Sequence, residues 1–290
     1  IRRGTTVATV DPAGTTSREL AELMVGSELP SPSTETSTVT DRVTLHVADL
    51  CLPAENRPLL DAISFDIRAG EVLGIAGVEG NGQAELVEAI MGMRPGATGT
   101  VRLAGQDLTE LSTRRRREAG IGYIPEDRHR HGLLLDAPLW ENRVLGHQTR
   151  KPWARRGLID RGASRTDTQR IVEEYDVRTP GVDTLARALS GGNQQKLIVG
   201  REMSGEPILL IASHPTRGVD VGAQAAIWGH IKQARRLGLA VLLISADLDE
   251  LIGLSDRIEV ILRGRLVGSF DPGQVTPEQL GSAMTGAGGA

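Results

Sequence analysis

The sequence predicts an α/β fold organised around a largely parallel sheet. Short apolar runs of buried-strand length, "EVLGIAG" (71–77), "PILLIAS" (207–213), "LAVLLIS" (239–245) and "RIEVIL" (257–262), lack the polar alternation of a half-wet strand. Helical stretches stand between them: "QAELVEAIMGM" after the first run, and others around 194–204, 222–237 and 247–254. Strands and helices that alternate in this way lay their strands side by side in parallel. The hydrophobic fraction, 39% of 290 residues, suffices for a sizeable core, and with only seven aromatic residues that core is aliphatic.

Before the first strand, "SELPSPSTETSTVTDR" (27–42) is polar and rich in Ser, Thr and Pro, and reads as a linker. Residues 1–26 repeat, without gaps and at an offset of 260, the stretch from Ile261 to Gly286. Ten of 26 positions are identical: Ile1, Arg3, Gly4, Val7, Asp11, Pro12, Thr16, Leu20, Met24 and Gly26. Chance gives about one or two. The expected organisation is therefore the tail of one domain (1–26), a linker (27–42) and a second copy of that domain (43–290), with most of the first copy missing from a chain that opens on Ile rather than Met. Residues 137–188 carry no buried-strand run and read as an inserted helical subdomain, with Ser164 as the N-cap of "SRTDTQRIVEEYDV".

Composition narrows the function. A formal charge of -4 with interspersed signs lacks the clustered Lys and Arg of a nucleic-acid face, so no nucleic-acid partner is expected. The run Arg114 to Arg117 reads as a solvated helix face, and His129 and His131, in an Arg-rich loop, as exposed side chains rather than a metal pair. The single Cys51 reads as a small buried residue that forms no internal disulfide. No apolar run approaches the roughly 20 residues of a membrane span, and no signal peptide is visible, so any membrane role is expected to come through a partner.

"GVEGNGQA" (77–84) joins the first strand to the first helix. It follows the phosphate-loop pattern G-x-x-x-x-G-K-[ST] at Gly77 and Gly82 and departs from it at Gln83 and Ala84. Backbone N–H groups from Gly80 to Ala84, Asn81 included, and the positive end of the helix can point at a polyphosphate. Taken alone, the same loop is compatible with a tight turn that holds no ligand.

"LSGGNQQK" (189–196) resembles the signature sequence of ATP-binding cassette (ABC) ATPases, and stands, as in that family, between the helical insert and an apolar strand. Further stretches resemble the family in order over 43–290: "GIGYIPEDRHRHGL" its Q-loop region, with Glu126 at the Gln position; "ILLIASHPTRGVDVGA" its Walker B strand and D-loop, with Asp220 as the D-loop aspartate; "LLISADLDELIGLSDRIEVILRGRLVG" its switch region. The wording is most similar to the second cassette of tandem ATPases that serve nucleoside or simple-sugar importers. The resemblance implies a P-loop NTPase core with a mostly parallel sheet, an antiparallel β part and an inserted helical subdomain. It implies ATP as cofactor, a first cassette in the same polypeptide, permease subunits that hold the protein at the cytoplasmic face of the plasma membrane, and, indirectly, a substrate-binding lipoprotein. Ser190, Gly191, Gly192 and Asn193 then complete the Mg-ATP site of the partner cassette.

The same resemblance marks what is missing. Gln83 replaces the P-loop Lys, which downgrades a charge-assisted hydrogen bond of about 1.5–3 kcal/mol to a neutral one and lowers affinity roughly 10- to 100-fold. Ala84 and Ser213 stand where the Mg²⁺ anchors belong, His214 where a Glu positions the attacking water, and Ala246 at the switch His. The expectation is weak ATP or ADP binding and no hydrolysis at this loop. Two alternatives are an autonomous ATPase that uses His214 as base, and a soluble ABC module without a transport role.

Overall fold

A computed structural model of the chain describes residues 6, 8–11, 14, 15, 19, 23 and 38–287. The expected domain tail (1–26) and most of the expected linker lie outside the described residues, apart from those scattered positions and 38–42.

Two sheets form the body. The first is antiparallel, in the order β2-β1-β4-β5, from β1 (Val43–Leu52), β2 (Leu60–Arg68), β4 (Thr98–Leu103) and β5 (Gln106–Asp107). Leu60, Ile63, Phe65 and Ile67 of β2 face inward while the residues between them meet solvent, the alternation of a sheet wet on one side. The second sheet has the order β12-β11-β3-β10-β9-β6, built from β3 (Val72–Ala76), β6 (Ile121–Ile124), β9 (Leu209–Ser213), β10 (Ala240–Ser245), β11 (Arg257–Leu262) and β12 (Arg265–Phe270). All its pairings are parallel except β11 with β12. Strands β3, β9 and β10 are buried along their whole length, which is why they read as continuous apolar runs.

Side-chain alternation divides these strands between two cores. Leu73, Ile75, Leu209, Ile211, Leu242 and Ile244 pack with the antiparallel sheet and with Leu86 and Ile90 of helix α1 (Gln83–Met91). Val72, Leu210, Ala212, Val241 and Leu243 face the opposite way, toward the remaining helices. These are α5 (Gly191–Met203), α6 (Val221–Arg236), α7 (Leu248–Leu254) and α8 (Pro277–Thr285), with α2 (Thr113–Glu118) beside β6.

The insert at 137–188 holds α3 (Leu139–Val144), α4 (Arg161–Glu174) and a 3₁₀ turn at Ala186–Ala188, but it is not wholly helical: a two-stranded hairpin, β7 (Ala154–Arg155) with β8 (Leu158–Ile159), separates the helices. Helix α4 begins earlier than the sequence suggests. Its N-cap is Asp160, whose carboxylate accepts from the Ala163 amide, whereas Ser164 is buried inside the first turn and donates to the Asp160 carbonyl.

The arginine run also departs from expectation, because two of its four members point inward. Arg114 and Arg115 stay exposed near Glu118. The Arg116 guanidinium donates to the carbonyls of Ala89 and Ile90 at the end of α1 and to those of Thr109 and Leu111. It thereby satisfies carbonyls that a helix end leaves open, in a place water does not reach. Arg117 reaches Glu202 of α5 at 2.6 Å. Cys51 is only half-buried, with its Sγ accepting from the Ala62 amide.

Glu202 is the hub of a buried ionic cluster. Burial alone would raise its carboxyl pKa, but Arg117 and Arg201 outweigh burial, the Tyr123 amide adds a hydrogen bond, and the group is held down to about 2. Beside it the His147 ring is buried against Trp153 with neither nitrogen hydrogen-bonded, and burial pushes its pKa down to about 3.

Two outcomes follow from these groups. Replacing Arg116 by Ala strands several buried carbonyls and is expected to cost about 2–4 kcal/mol in urea unfolding; a loss below about 1 kcal/mol would show that water replaces the guanidinium. An unfolded His titrates near pH 6.5, so below that pH the unfolded chain takes up a proton that the folded His147 refuses, and stability falls as the pH falls. His147 alone accounts for about 2 kcal/mol between pH 6.5 and 5. His214 and His230, also lowered by burial, tilt the same way. Glu202 adds stability that is full above the ordinary carboxyl range and is lost toward its own value of about 2. A His147→Leu variant should flatten the pH 6.5-to-5 slope by that amount, and an unchanged slope would refute the assignment.

Candidate functional site

The loops after β3, β6, β9 and β10 leave the carboxyl ends of strands in one parallel sheet, where such sheets open a crevice. They line a cavity of about 480 Å³. Its first wall is the glycine loop. Gly82 adopts φ 116°, and a Cβ there would lie 3.1 Å from the Leu59 carbonyl oxygen, so glycine is needed on both counts. Asn81 pins the loop to the β11–β12 turn: its side-chain oxygen accepts from the Arg263 amide at 3.1 Å and its carbonyl from the Gly264 amide at 2.8 Å. Gly82 caps α1 without a side chain, so no cap bonds the amides of the first turn, and the positive end of the helix meets the loop. Gln83 is buried and turns back into the loop, its Nε2 donating to the Val78 carbonyl at 3.1 Å. Gly77, Gly80 and Ala84 line the same cavity, Ala84 with a methyl group and no ligand atom.

The facing wall comes from β9 and β10. Ser213 ends β9 and is nearly buried. His214 follows in the left-handed region at φ 47°, a conformation His tolerates better than most residues, and its amide donates to the Ile244 carbonyl at 2.7 Å. Burial lowers the pKa of its ring, Glu126 opposes the shift and Arg217 adds to it. Glu126 itself is ion-paired to Arg217. Ala246 lines the cavity where the resemblance places a switch His. Beneath it Glu250 accepts from Thr216 Oγ1 at 2.8 Å and from Trp228 Nε1 at 3.0 Å, and burial pushes its carboxyl up.

Does this cavity suit the Mg²⁺ that the resemblance implies? Ala84 has nothing to ligate with, Ser213 offers a neutral hydroxyl where a carboxylate belongs, and among the described residues no group of three or more His, Cys, Asp or Glu side chains could hold a metal ion. The two positions that the resemblance gives to Mg²⁺ therefore do not fit it, since neither supplies a charged ligand.

The signature stretch lies elsewhere. None of Ser190, Gly191, Gly192 or Asn193 lines the cavity. Ser190 is the N-cap of α5 by position, but its hydroxyl bonds no helix amide; it accepts from Asn193 Nδ2 at 2.9 Å, and Asn193 Oδ1 accepts from the Arg178 amide. A Cβ on Gly191 would come within 2.8 Å of the Arg128 guanidinium, and one on Gly192 within 3.4 Å of Asp220, which itself caps α6 through the Ala223 amide. The start of α5 is tied to two of the cavity loops, those after β9 and β6, by Gln195 to the Pro215 carbonyl at 2.7 Å and by Gln194 to His129 at 2.9 Å.

The structure thus separates the sequence-derived candidates into two groups: the glycine loop with Glu126, His214 and Ala246 around one cavity, with Ser213 adjoining His214, and the signature residues with Asp220 at the start of α5. Sequence reasoning missed Arg217, Thr216 and Glu250 as cavity residues and Arg128 as the partner of Gly191. Arg217 and Thr216 sit inside the quoted "PTRGVDVGA", so position was available; what a side chain faces was not.

Comparison with known proteins identifies the family. A sequence profile of the family described as ABC transporter matches residues 60–217, more than half of the chain. The chain is 44% identical over 289 residues to the guanosine import ATP-binding protein NupO of Bacillus subtilis, covering 99% of this chain and 56% of that protein. It is 40% identical over 278 residues to the ribose import ATP-binding protein RbsA 2 of Streptomyces coelicolor, covering 96% and 52%. The chain spans about half the length of the curated relatives it matches. Among solved structures, a nucleotide-free ATP-binding cassette from an ABC transporter superposes with a TM-score of 0.68 at 20% identity, over 84% of this chain and 95% of that one. With the P-loop crevice, the signature helix and the helical insert in the cassette arrangement, the chain belongs to the ABC transporter family.

Proposed function

We propose that the chain is the second, hydrolytically degenerate cassette of an importer ATPase for nucleosides or simple sugars, and that it donates its signature turn to an ATP site on a first cassette. The observation that carries this is the contrast between the two groups of residues. The signature turn keeps every residue type its task needs: a hydroxyl that caps no backbone amide of its helix, glycines, and a helix N-terminus that attracts anions. The glycine loop keeps the backbone half of a phosphate site and lacks the cation, the metal anchors, the water-positioning carboxylate and the switch His. It binds ATP or ADP weakly through its amides, while Mg-ATP is turned over at the partner's loop, where Ser190, Gly191, Gly192 and Asn193 meet the γ-phosphate and Asp220 helps shape the interface.

The tandem arrangement is supported by the internal repeat and by relatives about twice as long as the stretch they share with this chain. The substrate class is supported by relatives whose names specify guanosine and ribose import. Among the described residues no helix is long and apolar enough to cross a membrane, so contact with the cytoplasmic face of the plasma membrane would run through permease subunits, at the groove beside Glu126 and the helical insert, with a substrate-binding lipoprotein on the far side.

The test is steady-state ATPase activity of the two-cassette protein. Ser190→Arg is expected to abolish turnover, because a bulky cation then occupies the signature turn, whereas Gln83→Ala is expected to leave most of it. If Gln83→Ala removes activity as fully as Ser190→Arg does, this loop takes part in hydrolysis and the asymmetric assignment fails; turnover by the isolated chain, removed by His214→Ala, would point to the autonomous reading instead.

A further inference from the structure

The cavity beside the glycine loop has a charge problem. Four carboxyl side chains line it: Glu79, Glu126, Asp247 and Glu250. Asp247 accepts from the amides of Asp249 and Glu250 at the start of α7, and Glu250 is engaged with Thr216 and Trp228, but Glu79 is exposed and Glu126 faces the same space. Backbone amides of the loop and the helix end supply partial charges only. A polyphosphate entering such a space meets net negative charge unless a full cation answers it. Gln83 cannot, since it is neutral and its amide nitrogen is turned onto the Val78 carbonyl.

Among the described residues lining the cavity, Arg217 alone is a Lys or Arg. It projects from the loop after β9, opposite the glycine loop, with its guanidinium on Glu126. That pair is exposed enough for solvent to weaken it: the Arg217 side chain keeps 60% of its surface and the Glu126 side chain 33%. A polyphosphate with several charges and paired oxygens is a stronger partner for a guanidinium fork than one half-solvated carboxylate. The backbone beneath Arg217 is held independently, because Arg128 donates to the Arg217 carbonyl at 2.8 Å, so the side chain can change partners without moving its loop.

We propose that Arg217 supplies the positive charge the glycine loop lacks, leaving Glu126 to grip the phosphates of a nucleoside di- or triphosphate in this cavity. The assignment rests on the reading that the loop binds nucleotide. It makes Glu126 a competitor for the site as well as a lining residue, so this cavity has two states: Arg217 on Glu126, or Arg217 on phosphate.

The experiment is calorimetric titration of the 290-residue chain with ADP, in the wild type and in Arg217→Gln, Arg217→Lys and Glu126→Gln variants, with thermal midpoints as a folding control. Arg217→Gln should weaken ADP binding about 10-fold or more, Arg217→Lys should recover part of the loss, and Glu126→Gln should tighten binding several-fold by releasing the guanidinium. The affinity of the wild type should also fall more steeply with salt than that of Arg217→Gln, a readout that a purely structural role would not move. If the wild type binds ADP and Arg217→Gln binds it equally well, or if Glu126→Gln weakens binding as much as Arg217→Gln does, the Arg217 assignment is wrong while the nucleotide reading stands. If the wild type binds no ADP, the nucleotide reading itself falls and takes this assignment with it.

Discussion

Burial of the parallel sheet on both faces is the constraint on which the rest of the molecule depends. Strands β3, β9 and β10 lie inside with no exposed residue, so almost every side chain along them must be aliphatic or small. Polar chemistry is thereby confined to where these strands end. Ala76, Ser213 and Ser245 are last residues of three adjacent strands, and each is followed within one or two positions by a residue that lines the cavity: Gly77, His214 and Ala246. The carboxyl ends of parallel strands are where an α/β sheet collects anions without needing a basic surface, here with the His214 amide already taken by the Ile244 carbonyl.

The helical insert packs on the helix side of that sheet through Leu139, Ile171, Tyr175 and Val177, and a buried charge cluster lies beside it. Glu202, on the same helix that carries the signature turn, takes Arg117 from beside β6, the neighbouring Arg201 and the Tyr123 amide. Arg201 in turn donates to the Gly132 carbonyl, and Arg143 of the insert is buried over the Trp153 ring at 3.9 Å and paired with Asp167. Removing one member of such a cluster leaves the others charged and dry, which costs far more than the cluster contributes over an apolar replacement. The cluster ties α5 to β6 through the Tyr123 amide and to the loop after β6 through the Gly132 carbonyl.

Much of this was legible in the sequence, for identifiable reasons. Sequence patterning located strands β3, β9, β10 and β11 and helices α1, α6 and α7 closely, since a strand apolar along its length or a helix with an apolar stripe leaves a local signal. Strands β1, β2 and β4 were not read from the sequence, although β2 alternates inward and outward residues; in β1, register shifts such as that at Val47/Leu50 break the pattern. Ser164 was mistaken for a cap because Asp160, four residues earlier, is the better one, and the intervening Arg161, Gly162 and Ala163 give no apolar signal. The Arg114–Arg117 run misled for a different cause. A guanidinium can be buried when it finds enough carbonyls, and the open end of α1, distant in sequence, is invisible to any local count of charge. The candidate positions themselves were located by motif; Arg217, Glu250 and Arg128 were not, because their significance lies in what stands opposite them.

Two halves of one chemistry are therefore built differently in this chain. The signature turn is rigidly supplied: Gln194 and Gln195 anchor it, Arg128 packs where Gly191 has no side chain, and Asp220 stands beside Gly192. The glycine loop has a good backbone and compromised side chains, and Gln83 satisfies itself on the loop's own carbonyl. Loss of a lysine from such a loop need not be disabling for binding, since backbone amides and a helix terminus retain their partial charges, but it is disabling for reaction, where charge must be stabilised as it develops. Gln195 and Gln194 tie the start of α5 to the loops that carry Arg217 and Glu126. On the function proposed above, a cassette of this build would lose its own hydrolysis and be retained for the position in which it holds its signature.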